Sequence, residues 1–334
     1  MSISTLRRSV RSDLGAFAWD KWAQLGVFAP FDRPDRRAMD PEALLLFTFE
    51  VGRNDPRLFD EVLDWLLTNE KLVSVQRLRN LCVNDADRDL AEAALAWVAR
   101  QRPRAGFVTP KRQEQPAEPT PLFRTARQPV KNPDPTYLSY GFVKPDSEPS
   151  GKSSAPDLST PINFTFRMRQ LFGLGSRAEV FRYLITSVDA VGAQELAESA
   201  GYAKRNINES LTALTASGTV TMYELGNERR YVVDRIKWGA LLGLKPESSP
   251  TRYEWPRLLL SLRQLARWVE NPELDRLSHY LLASEARSLM DVLEPNLAYA
   301  GIPSNGSRPH GEAYWSFFEQ SIEDILSTVR AAFI

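Results

Sequence analysis

The decisive stretch runs from residue 176 to 234: SRAEVFRYLITS (176–187), GAQELAESAG (192–201), YAKRNINESLTALTASG (202–218) and TVTMYELGNERRYVVD (219–234). In the third piece Ile207, Leu211 and Leu214 recur at helical spacing, so they share one face. Arg205, Asn208, Glu209 and Thr212 fall on the opposite face, and Lys204 and Asn206 flank the apolar stripe at its N-terminal end. The piece before it carries Ala193, Leu196, Ala197 and Ala200 along one side, small enough for two helices to cross closely. Gly201 suits the turn between the two, and Gly218 suits the end of the second. Val220 and Met222 then alternate with Thr219 and Thr221, and Tyr231 and Val233 with Val232, two strands joined at Gly226-Asn227. This register sets Glu224 opposite Arg229, partly neutralising it. The stretch reads as three short helices followed by a hairpin.

The residue types on the exposed positions point to nucleic acid. Arginine pairs with guanine and asparagine with adenine through paired hydrogen bonds in the major groove. A helix whose first turns carry Lys204, Arg205, Asn206, Asn208 and Thr212 supplies that chemistry. Arg229 and Arg230, just past the hairpin tip, are placed to meet phosphates or a minor groove.

On these residues, GAQELAESAGYAKRNINESLTALTASGTV followed by NERRYVV, the stretch resembles the winged helix-turn-helix domain of ArsR- and MarR-type bacterial transcriptional regulators. The resemblance covers about 60 of the 334 residues. It implies binding of double-stranded operator DNA, with the helix at 204–217 in the major groove and the hairpin as a wing. It also implies a homodimer on two half-sites. Two departures stand out. Ala203 occupies the position where such helices usually begin with Ser or Thr. The metal-sensing cysteines of many ArsR-type proteins are absent, so no metal site is expected.

The rest of the chain reads as mainly α. Residues 1–101 form a helical domain, with Asp40-Pro41 and Asp55-Pro56 as helix starts. Residues 102–160 hold about half of the prolines and read as an extended linker, with one aromatic, β-prone island at 136–143. The candidate DNA-binding domain spans 161–245, with a lead-in helix at 162–175. Residues 251–334 return to helix: about 256–269, from Asn271-Pro272 to about Leu293, and about 312–331. Trp255, Trp268, Trp315, Phe317 and Phe318 in that region call for cover from the N-terminal helices, a second protomer, or both.

Composition narrows the classes. Cys82 is the single cysteine, which excludes an intramolecular disulfide framework and a Cys-rich zinc site. There is no secretory signal and no apolar run long enough to span a bilayer, so a cytoplasmic protein with no membrane partner is expected. Residues 162–245 carry 11 basic and 8 acidic groups, whereas 246–334 carry 8 and 12, so the candidate reader is basic and its C-terminal neighbour acidic. His279 and His310 lack the partners of a catalytic or metal site, and Asp85 and Asp87 read as helix-start carboxylates. No catalytic residues and no cofactor are expected. The rival reading is an interaction scaffold or antitoxin-like regulatory subunit that uses the same unit for protein contacts.

Overall fold

A computed structural model of the chain describes residues 2–102, 118–125, 128–245, 249–302 and 308–333. The first long helix, α1 (Ile3–Gln24), begins at Ser2, whose hydroxyl accepts from the Thr5 amide. The two Asp-Pro pairs act as expected: Asp40 caps α2 (Pro41–Val51) and Asp55 caps α3 (Pro56–Thr68), each carboxylate accepting an amide of the first turn. Ser74 starts α4 (Val75–Asn80) and Asn84 starts α5 (Asp85–Gln101) in the same way. The α2 sequence LLLF is apolar all round, and the whole helix is buried, so α2 is the axis on which the other helices pack.

The segment expected to be an extended linker is instead a strap over this helical layer wherever it is described. Strand β1 (Thr120–Pro121) pairs in parallel with β2 (Phe142–Val143), and between them lies helix α6 (Pro135–Ser139), capped by Asp134. Phe123 and Tyr137 meet Phe59 of α3 at 5.6 and 6.0 Å between ring centroids. Downstream, the amides of Gly151 and Ser153 donate to the two oxygens of Asp64 at 2.9 and 3.0 Å. A proline-rich chain cannot build a core of its own, but its few aromatics fasten onto one already built. The proline-rich residues 103–117 lie outside the described residues.

Helix α7 (Phe164–Phe172) leads into α8 (Ser176–Thr186), the short strand β3 (Val191–Gly192), α9 (Ala193–Ala200) and α10 (Lys204–Ala216). The hairpin β4 (Thr221–Leu225) and β5 (Glu228–Val232) follows, then α11 (Arg235–Leu241). The sheet order is β3-β5-β4, antiparallel throughout, with Glu224 opposite Arg229 as the sequence implied. The two-residue turn has Gly226 at φ +62°, a left-handed conformation that suits glycine. Neither β3 nor α11 was expected from the sequence. Met222 was expected to alternate inward but is exposed, because the hairpin projects beyond the body and only Val220, Tyr231 and Val233 at its base are buried. This unit has its own core, which includes Val180, Phe181, Leu196, Ile207, Leu211 and Tyr231.

The last three helices, α12 (Trp255–Val269), α13 (His279–Tyr299) and α14 (Ala313–Phe333), return to the first core. After Asn271-Pro272 the chain makes a 3-10 turn, and α13 begins only at His279, capped by Ser278. Trp255 and Phe333 pack on Phe17 of α1, each 6.1 Å away. Buried Lys21 donates to the Phe333 carbonyl at 2.6 Å and pairs with Asp20 and Asp35, both at 2.9 Å. Thus 1–101 and 251–333 share one core. Trp255, Trp315 and Phe318 are buried within the chain, so they need no second protomer for cover.

A closed ion network joins this body to the central unit. Arg77 of α4 pairs with Asp40 and with Glu42 at 2.8 Å. Arg169 of α7 bridges Glu42 and Glu179, both at 2.6 Å, and Arg182 returns to Glu179 at 3.1 Å. All six groups are buried, three of each sign. Burial alone would raise the Glu179 carboxyl, but the guanidiniums of Arg169, Arg182 and Arg77 outweigh it and hold the pKa at about 2. Arg77 also donates through Nε to the Ala200 carbonyl at 2.6 Å, and Ser74 bonds the Tyr202 hydroxyl at 2.9 Å.

Arg77→Ala leaves Asp40 and Glu42 buried with one partner fewer and should destabilise the chain by about 3–5 kcal/mol in urea unfolding. Glu179 adds a pH signature. Its folded pKa lies below the ordinary 4.5, so its contribution is complete above that value and disappears as the pH falls toward 2. It amounts to about 3 kcal/mol and should be missing from the acid limb of a stability–pH curve for Glu179→Gln.

Candidate nucleic-acid interface

Helix α10 is fixed by its inner face. Ile207, Leu211 and Leu214 are buried as their spacing predicted, and the Ser210 hydroxyl bonds that of Ser176 in α8 at 2.7 Å. No side chain caps the helix at Ala203. The turn from α9 is held by Gly201, at φ +67°, where an added Cβ would lie 3.2 Å from Leu81 of the helical body.

Five of the seven expected DNA-contacting residues line one groove of about 730 Å³ between α9, α10 and the hairpin: Lys204, Asn208, Thr212, Arg229 and Arg230. Arg205 lies on the adjoining outer face of α10, fully displayed but paired with Glu209 at 3.0 Å. Asn206 is not brought to the groove; it is half-buried, with its carbonyl accepting from Ser176 at 3.4 Å. Arg230 lies in the groove but is half-buried beside Gly192 of β3 and paired with Glu228 of its own strand at 2.6 Å, so its charge is engaged within the hairpin.

The groove also contains what the sequence did not reveal. Glu195 and Glu198 of α9 and Tyr299 at the end of α13 form part of its wall. Both glutamates are neutralised from the C-terminal region: Glu195 by Arg252 at 3.3 Å and Glu198 by Arg257 at 3.2 Å. Arg257 in turn stacks over the Tyr299 ring at 4.1 Å. The charges left without an ion-pair partner among the described residues are those of Lys204 and Arg229. The groove is therefore weakly positive, and its positive charge sits on the α10 and hairpin sides.

Elsewhere the candidate chemistry is thin. His279 and His310 are exposed and far apart in the chain, and no cluster of metal-ligating side chains occurs among the described residues. Asp87, expected only as a helix-start carboxylate, is buried between Arg263 and Arg267 at 3.0 and 2.6 Å. No helix among the described residues is long and apolar enough to cross a membrane. No protein-family model, no curated protein and no solved structure matches this chain.

The two unpaired cations set the electrostatics of any duplex complex. Each phosphate neutralised contributes about −0.9 to the slope of log affinity against log salt, so one protomer should show a slope near −2. Fluorescence anisotropy across a salt series should return about −1 for Arg229→Ala. Arg230→Ala should change the slope less and lower hairpin stability instead.

Proposed function

We propose that this chain is a DNA-binding transcriptional regulator, and that residues 161–245 act as a winged helix-turn-helix on duplex operator DNA. One observation carries the reading: α10 packs its apolar face inward while Lys204, Asn208 and Thr212 face the same open groove as Arg229 of the hairpin. A B-form major groove accepts one helix, and the hairpin beside it then meets the adjoining backbone. Lys204 and Arg229 serve as phosphate contacts. Arg205 and Asn208 serve as base readers, with Thr212 beside them one turn further along. The protein acts by binding and carries out no chemistry. Two modest unpaired charges per protomer make weak binding alone, so paired protomers on two half-sites suit the reading.

The rival reading has its own observation. Glu195, Glu198 and Tyr299 in the groove wall, and the Arg205–Glu209 pair, would also suit a protein partner with mixed charge. Selection of bound duplexes from a fragmented genomic pool at low salt separates the two. An enriched motif supports the regulator. Retention of a stoichiometric protein partner with no enrichment supports the scaffold. On an enriched site, Arg205→Ala should cost about 1–3 kcal/mol with folding unchanged. Unaltered affinity would remove Arg205 from the reading set.

A further inference from the structure

The C-terminal helices supply part of the groove wall. Tyr299, the last residue of α13, lines the groove together with Lys204, Asn208 and Arg229, and is 49 % exposed. Its ring is held in place. The Arg257 guanidinium of α12 stacks over it at 4.1 Å and donates to the Asn296 side chain at 3.3 Å, one turn back on α13. The same guanidinium pairs with Glu198 of α9 at 3.2 Å. The helix end is pinned as well, because the Tyr253 hydroxyl donates to the Ala300 carbonyl at 2.7 Å. A side chain ordered before its partner arrives loses little freedom on binding.

The Tyr299 hydroxyl itself has no hydrogen-bond partner among the described residues. That sets it apart on the α9 side of the groove. Gly192 and Ala193 bring no polar side chain, and the Gln194 amide already donates to Glu198 at 2.9 Å. The charges of Glu195 and Glu198 are met by Arg252 and Arg257. This wall therefore carries paired carboxylates and one uncommitted side-chain donor. A tyrosine hydroxyl is a neutral donor suited to a phosphate oxygen of a nucleic-acid backbone.

We propose that Tyr299 is a contact of the bound duplex, donating its hydroxyl to a backbone phosphate on the α9 side of the groove, and that Arg257 is its positioning residue. The inference rests on the DNA-binding reading and deepens it: the C-terminal helices belong to the DNA site as well as supporting it. Arg257 has two tasks there. It orients the ring, and it keeps the Glu198 carboxylate from facing the phosphates unpaired.

The test uses the full chain on an enriched duplex in which one phosphate at a time is replaced by an uncharged methylphosphonate. Tyr299→Phe removes the hydroxyl and keeps the ring under Arg257. It should weaken binding about tenfold, as for one hydrogen bond to a charged group, and leave the salt slope unchanged because no charge is lost. At one flanking position the methylphosphonate should weaken the parent clearly more than it weakens Tyr299→Phe. Arg257→Gln should flatten the salt slope by about one, because Glu198 then stands unpaired beside the phosphates, and adding Glu198→Gln should restore it. Tyr280→Phe, at the exposed far end of α13, should bind like the parent. The proposal is overturned if Tyr299→Phe binds like the parent, or if every methylphosphonate weakens parent and variant alike; either result leaves the reading of the groove standing. If the folded parent enriches no duplex, that reading falls and the proposal falls with it.

Discussion

The structure depends on six buried charges at one seam. Asp40, Glu42, Arg77, Arg169, Glu179 and Arg182 lie where α2, α4, α7 and α8 meet, and all but Arg182, which pairs with Glu179 of its own helix, reach partners on other elements. Such a network gives little net stability compared with an apolar seam of equal shape, but it is intolerant of displacement: moving any helix strands a charge away from water. The same residues serve local structure too. Asp40 caps α2 while it binds Arg77, so the start of the central body helix and the docking of the unit that carries α10 cannot be set independently.

That coupling fixes how α10 is presented. The α9–α10 turn is held from the N-terminal side by Arg77 on the Ala200 carbonyl and Asn80 on the Gly201 carbonyl. From the C-terminal side, Glu254 accepts from Ser199 at 3.2 Å and Arg257 holds Glu198. Both halves of the shared core therefore grip α9, and α10 is left free on its outer face. That combination of a rigid mount and an unobstructed face would suit the proposed entry of α10 into a duplex groove. Although residues 246–334 carry an acidic surplus, two arginines of that region, Arg252 and Arg257, pair with Glu195 and Glu198.

What the sequence showed and what it hid differ in kind. Local signals were legible. The Asp-Pro starts of α2 and α3, the stripe Ile207, Leu211 and Leu214, and the opposition of Glu224 and Arg229 follow from spacing along one element. Partners across the chain were not. Helical periodicity shows that Trp255 and Phe318 need cover but not that α1 and α2 provide it, so a dimer looked as reasonable as the shared core that formed. Charged residues read as solvated by default, and nothing in the spacing of Glu42, Arg169 and Glu179 marks them as buried together. The strap failed for the opposite reason: its composition is that of a linker, and Phe123 and Tyr137 matter only because Phe59 awaits them. At the interface, periodicity separated the two faces of α10 correctly but could not tell that Asn206 stays out of the groove, or that Arg230 is paired with Glu228.

The central claim is that the exposed face of α10 lies against bases. A photoreactive amino acid placed at Asn208, irradiated with the full chain and fragmented genomic DNA at low salt, tests this at the residue itself. Asn208 is exposed and carries no side-chain contact that the fold requires. The account predicts a covalent adduct to duplex DNA from position 208 and none from a matched exposed position on the outer side of α13, such as Val292. Equal labelling from both positions, or adducts from position 208 to protein alone, would contradict it.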